Sequence, residues 1–136
     1  HRDLHSFPTR RSSDLACQAL SNVYIDHVFG EKPSLKVFLD SVQEYIKNNK
    51  KDSTVTKGDL IGFYLEHHIK HFYGEMIRGL TELLTSTVSH IKKTAIKILA
   101  SLSRFKELRR TILSTLINKF GDSDMDVVNE VSKSLK

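Results

Sequence analysis

The chain has 136 residues, with 21 lysines and arginines against 16 aspartates and glutamates, seven histidines, two prolines, no tryptophan and one cysteine. A single cysteine excludes an internal disulfide and a thiolate metal cluster built from this chain alone. Charged residues interrupt every hydrophobic stretch before it reaches the roughly 18 residues that cross a bilayer, which argues against a membrane role. The net charge of +5 permits a polyanionic partner and bears on partners and solubility rather than on fold.

The segment His1 to Leu15, HRDLHSFPTRRSSDL, has no apolar period and no charge pattern that would fold. Translating a common sequencing-adapter DNA produces this string letter for letter, so residues 1–15 read as an adapter carried into an assembled gene rather than native sequence. A basic transit peptide or a disordered arm is the rival reading. Setting the segment aside leaves 18 bases against 14 acids, a net +4, in the native stretch Ala16 to Lys136. That stretch, residues 16–136, begins and ends without natural punctuation and is expected to be a fragment.

From Ala16 to Val28, the apolar residues Ala16, Leu20, Val23, Tyr24 and Val28 recur at three- and four-residue steps, the spacing of one helical face. After a breaker segment, Phe29 to Pro33, Ser34 is placed to cap a second helix with Leu35, Phe38, Leu39, Val42 and Ile46 inward. Residues 48–58 are polar, charged and glycine-terminated, and read as a loop. A long third helix is expected from Asp59 to Thr85, with Leu60, Tyr64, Ile69, Phe72, Met76, Ile77, Leu80, Leu83 and Leu84 inward. Gly74 and Gly79 weaken it by about 1 kcal/mol each relative to alanine, and close packing of a neighbour is the expected compensation.

A fourth helix carries Val88, Ile91, Ala95, Ile98, Leu99 and Leu102, and a fifth carries Phe105, Leu108, Ile112, Leu116, Ile117 and Phe120. Gly121 is placed to end the fifth in the left-handed conformation that glycine adopts without a side-chain clash. Asp122 or Ser123 then caps a sixth helix with Val127, Val131 and Leu135 inward. Acids at 122, 124 and 126 lie near the positive end of its dipole. Sliding the chain by 36 residues lays Ile69, Phe72, Met76, Ile77, Leu80 and Leu84 onto Phe105, Leu108, Ile112, Leu113, Leu116 and Phe120. It also lays Ile91, Ala95 and Leu99 onto Val127, Val131 and Leu135. Two helix pairs of equal period, about 60–102 and 103–136, cannot bury their stripes alone and are expected to stack as an all-α, HEAT/armadillo-like α-solenoid of antiparallel helix pairs. The alternative is a helical bundle whose common period mimics a repeat.

His67 and His71 are four apart, as metal ligands on a helix would be, but His68 stands where a zinc-protease motif needs glutamate, and no further ligand follows. A solvated face with a Glu66 to Lys70 pair is the preferred reading, and His27 and His90 stand alone. No glycine-rich phosphate loop, nucleophile elbow or paired carboxylate occurs. Cys17 reads as a small core residue. The sequence thus calls for no catalytic residue, no metal, no cofactor and no small-molecule substrate. Between positions 92 and 110, by contrast, Lys92, Lys93, Lys97, Arg104, Lys106, Arg109 and Arg110 face the single acid Glu107. These seven are the candidate RNA contacts, since lysine and arginine on phosphates bind through counterion release. A solvated face is the alternative.

From Leu60 onward, FYLEHHIKHFYGEM, LTELLTSTVSHIKKTAIKIL and above all LSTLINKFGDSD resemble the nucleolar-complex, or CCAAT-binding-factor, family, with weaker likeness in ALSNVYIDHVFGEKPSLKVF upstream. Asn118, Lys119, Gly121 and Asp122 are the most specific match. Gly62 stands where the family has tryptophan, Leu65 reads as an insertion, and Val131-Ser132-Lys133-Ser134 lacks the family's Ala-Ser-aromatic ending. The resemblance implies a non-enzymatic assembly factor of the large ribosomal subunit in the nucleus and nucleolus. Its partners would be a sister nucleolar-complex protein and pre-ribosomal RNA, with no membrane or small-molecule ligand. The alternatives are a CCAAT-element transcription-associated factor or a generic HEAT-like protein-interaction adaptor.

Overall fold

The computed structural model describes residues 10–48 and 55–136, with side chains from Leu15 onward. These residues form six α-helices and no strand: α1 Arg10–Val23, α2 Phe38–Asn48, α3 Lys57–Leu83, α4 Ser89–Leu102, α5 Arg109–Asn118 and α6 Met125–Ser134. A π-helical turn, Tyr24–Val28, extends α1, and a 3-10 turn, Lys119–Gly121, extends α5. The fold is all-α, as the periodicity predicts. Of the segment read as adapter, residues 1–9 lie outside the described residues, and α1 already begins at Arg10 within it. Of the predicted loop, residues 49–54 lie outside them, while Asn48 still belongs to α2 and Lys57 and Gly58 to α3.

α1, α3, α5 and α6 all pack on α4. Its sequence explains this position: Ile91, Ala95, Ile98 and Leu102 form one stripe, and Ile96 and Leu99 add an adjoining one. All six are buried, because a helix with so wide an apolar arc must meet several neighbours. Around α4 the core gathers Met76, Ile77, Leu80 and Leu84 from α3 and its end, Ile112 and Leu116 from α5, and Val127 and Val131 from α6.

The other end of the core is aromatic. Tyr24 and Tyr73 lie 4.9 Å apart between ring centroids, Phe29 meets Tyr73 edge-on at 5.0 Å, and Phe105 stacks on Phe29 at 5.0 Å. Offset and edge-on contacts of this kind add about 0.5–1.5 kcal/mol each beyond area burial. The π-helical turn arranges the cluster, because its wider i to i+5 bond, Phe29 N to Tyr24 O at 2.9 Å, directs both Tyr24 and Phe29 inward. Phe29, expected in a breaker, is therefore a core residue, and the Tyr24 hydroxyl donates to the Ile69 carbonyl at 2.7 Å.

Several predicted faces are turned differently. Leu20, Val23, Ile69 and Phe72 are exposed rather than inward; they line a single open groove between α1 and α3, with a volume of about 690 Å³, floored by Tyr24 and Met76. Leu60, Tyr64, Leu39, Ile46, Val88, Leu108, Ile117 and Phe120 are exposed as well. Tyr73 and Glu66 take buried positions on α3 in their place, because α2 and the Tyr24–Phe29 cluster approach that helix from a different side. A Cβ built on Gly74 or Gly79 meets nothing within 4 Å, so no neighbour packs closely there. Gly121 does not adopt the left-handed conformation. That conformation falls instead on Leu108, with φ 55°, at the entry to α5. Asp124, not Asp122 or Ser123, caps α6, accepting from Asp126 N at 2.9 Å. Thr56 caps α3 in a reciprocal capping box with Asp59.

Candidate nucleic-acid interface

The seven basic residues between 92 and 110 do not form one face. Lys92, on the first turn of α4, has a side chain only 15% exposed and reaches Asp122 Oδ2 at 3.3 Å. Lys97 points across to Glu130 on α6 at 3.7 Å, and Lys93 is half-buried. The remaining four gather around the α4–α5 turn, roughly 18 Å along the helix from Lys92 at 1.5 Å per residue.

That turn is ordered by its own arginines. Arg109 Nε donates to the Ser103 carbonyl at 2.9 Å and its Nη2 to the Arg104 carbonyl at 2.6 Å, satisfying carbonyls left open where α4 ends. The Arg104 guanidinium lies 5.6 Å from the Phe105 ring centroid, within cation–π range. Lys106 and Arg110 are exposed and make no ion pair among the described residues. Glu107, the single acid of the segment, is turned inward and buried, where Lys70 holds it at 2.6 Å. The outer rim of the turn therefore presents four cationic groups with no acid among them.

Two further cations belong to this region. Lys133 and Lys136 line a groove of about 680 Å³ with Lys97, Arg104, Ser101 and Ser103, with Glu130 as its acid. The 36-residue slide itself lays Lys97 onto Lys133, so the signal for a second basic position was present in the sequence.

The Asn118 to Asp122 stretch ties helix ends together. Lys119 Nζ donates to the Leu84 carbonyl at 2.9 Å, closing the end of α3, and lies 3.5 Å from Asp122 Oδ2. Asp122 accepts from Asp124 N through Oδ1 at 2.8 Å and from Lys92 through Oδ2. The Asp124 amide, with the two lysines, holds its carboxyl below the usual aspartate range. Gly121 and Asn118 are exposed. Three helix ends thus meet through two side chains of the motif.

The Glu66 to Lys70 pair expected on α3 does not form. Glu66 instead receives Lys32 Nζ and Lys36 N, both at 2.7 Å, and Lys70 serves Glu107. Burial alone would raise the Glu66 carboxyl; the Lys32 ammonium and the Lys36 amide outweigh it and hold the group below the usual glutamate range. His67 Nδ1 accepts from Phe38 N at 3.0 Å. Among the described residues, no three histidine, cysteine, aspartate or glutamate side chains stand close enough to hold a metal ion, and no helix is long and apolar enough to cross a membrane.

No family model, curated protein or solved structure matches the chain.

Proposed function

We propose that the chain is part of a non-enzymatic nucleolar scaffold for biogenesis of the large ribosomal subunit, resembling the nucleolar-complex family. It would hold pre-ribosomal particles and a sister nucleolar-complex protein through stacked helix pairs. The observation that carries the RNA-binding half is the α4–α5 turn, where Arg104, Lys106, Arg109 and Arg110 cluster while Glu107 is drawn inward to Lys70. Such a rim attracts phosphates without reading sequence. In this reading α3–α4 and α5–α6 are successive repeats of a HEAT/armadillo-like solenoid. Burial of both members of the pairs Met76 and Ile112, Leu80 and Leu116, Ile91 and Val127, and Ala95 and Val131 supports it, although Phe120 is exposed where Leu84 is buried.

Binding to a structured RNA followed by fluorescence anisotropy across a salt series tests the proposal. Log affinity should fall linearly with log salt, and the combined variant Arg104→Gln, Lys106→Gln, Arg110→Gln should bind more weakly with a slope shallower by about 2. Affinity that is absent, or unchanged by salt and by this variant, sinks it. A duplex carrying a CCAAT element that outcompetes the RNA would transfer the reading to the transcription-associated role. The open apolar groove between α1 and α3 favours a second reading, a protein-interaction adaptor. That reading gains if RNA binding fails while Phe72→Glu abolishes binding of a purified nucleolar-complex partner.

A further inference from the structure

α2 has no buried apolar side chain of its own; Ser41 is the one buried residue within it. Its principal packing is on α3, and two consecutive α3 side chains hold its entry. Glu66 takes Lys36 N and the Lys32 ammonium. The His67 ring takes the Phe38 amide, the first of the helix, on Nδ1. An orphan amide at a helix start is normally satisfied by a residue just before it; here an imidazole 29 positions away does so. An imidazole accepts a hydrogen bond only while neutral, because protonation makes both nitrogens donors.

We infer that His67 is a proton-sensitive clasp: neutral, it docks α2 on α3, and protonated, it releases the start of α2. Once Nδ1 carries a proton it faces the Phe38 N–H donor to donor, and the amide loses its partner. The charged groups around the ring offer no compensation. On α3, Glu66 is engaged by Lys32 and Lys36, Lys70 by Glu107, and Glu75 by Arg78. His68 stands edge-on to the His67 ring at 5.6 Å and contacts the Tyr64 and Phe72 rings, and His71, which lies against Phe72, lines a pocket with His67. On the approach to α2, Lys36 is paired with Glu44 and Asp40 lies near it. From the α4–α5 turn, Glu107 lines the same pocket as His67 but already belongs to Lys70. The Glu66 half of the clasp keeps its charge through mild acid, because its carboxyl titrates below the usual glutamate range.

Amide hydrogen exchange of the whole chain, expressed as protection factors at about pH 7.5 and about pH 5.5, which bracket imidazole protonation, tests the clasp. Protection of Phe38 should fall about ten-fold at the lower pH, the loss expected when a hydrogen bond is broken and its donor left unsatisfied, while protection at Ala95 to Leu102 stays constant. His67→Asn places an oxygen the same number of bonds from Cα as Nδ1 and accepts at either pH, so the fall should disappear in that variant. Equal Phe38 protection at the two pH values in the native chain, or an undiminished fall in His67→Asn, overturns the inference. Nitrogen-15 shifts of His67 in the native chain provide a readout that needs no variant: the Nε2–H tautomer is expected at about pH 7.5, and a dominant Nδ1–H tautomer would refute the clasp.

Discussion

Single side chains here act over long sequence distances. Glu66, buried on α3, is held by Lys32 and Lys36, and its carboxyl titrates below the ordinary value of 4.5. A folded value below the unfolded one means that the charge stabilises the fold at every pH above that ordinary value, and that this contribution is lost as pH falls through the folded value. Glu66→Gln should therefore lower stability by about 1.5 kcal/mol at neutral pH, and by much less at an acid pH well below the folded value. Urea midpoints at the two pH values measure it, and a gap that persists in acid would contradict this account. Tyr73, 0% exposed, has a hydroxyl with no hydrogen-bond partner among the described residues; burial, with the charge of Glu107, pushes its titration well above the usual tyrosine range. Leu108 holds a left-handed backbone, φ 55°, which costs a branched side chain about 1–2 kcal/mol. The Arg109 bonds to Ser103 and Arg104 and the Phe105–Phe29 stack hold the chain on either side of it.

Within the elements, period and contact separate. Every helix was legible as a period: α4 lies where its stripe predicts, and α3 is one long helix despite two glycines. Legibility ended where a helix has more than one apolar face. The pattern of α3 admits both the Ile69–Phe72 side and the Tyr73–Met76–Leu80 side, and only the positions of α4 and of the Tyr24–Phe29 cluster select the second. Gly74 and Gly79 carry no close neighbour, so they are simply weak helix formers. Gly74→Ala and Gly79→Ala should each raise stability by up to about 1 kcal/mol, and together they should raise the melting temperature. A fall in thermal stability would mean that an unseen partner approaches those positions. Lys119 was singled out by resemblance alone and Asp122 also as a candidate cap, and their role as a joint emerges only where Leu84, Lys92 and Asp124 converge on them.

At the scale of the whole molecule, α4 is the common support of α1, α3, α5 and α6, whereas α2 rests mainly on α3. Leu99→Ala, at a fully buried site on α4, should cost about 2–5 kcal/mol, and its effect should reach all the helices that pack on α4. Leu39→Ala, on the exposed side of α2, should change stability by less than about 0.5 kcal/mol. Far-UV circular dichroism during thermal unfolding distinguishes the two. A Leu99→Ala transition confined to a fraction of the helix signal would show that the helices around α4 do not unfold as a unit.

Part of the candidate interface follows the same division. The sequence alone determined that the chain is helical, where α3 and α4 lie to within a few residues, and that cations concentrate between 92 and 110, because helical period and charge are properties of neighbours along the chain; α1 begins earlier, at Arg10, and α5 later, at Arg109, than their stripes predict. The tertiary structure decided which cations remain outward: Lys92 is drawn to Asp122, 30 residues away, whereas Lys97 stays exposed beside Glu130, and Glu107 is removed from the rim by Lys70. It also decided that Leu20, Val23, Ile69 and Phe72 line an open groove instead of the core. The reason is physical: an amphipathic pattern states that a face avoids water, but only the placement of other helices determines which face is covered and which charge finds its opposite.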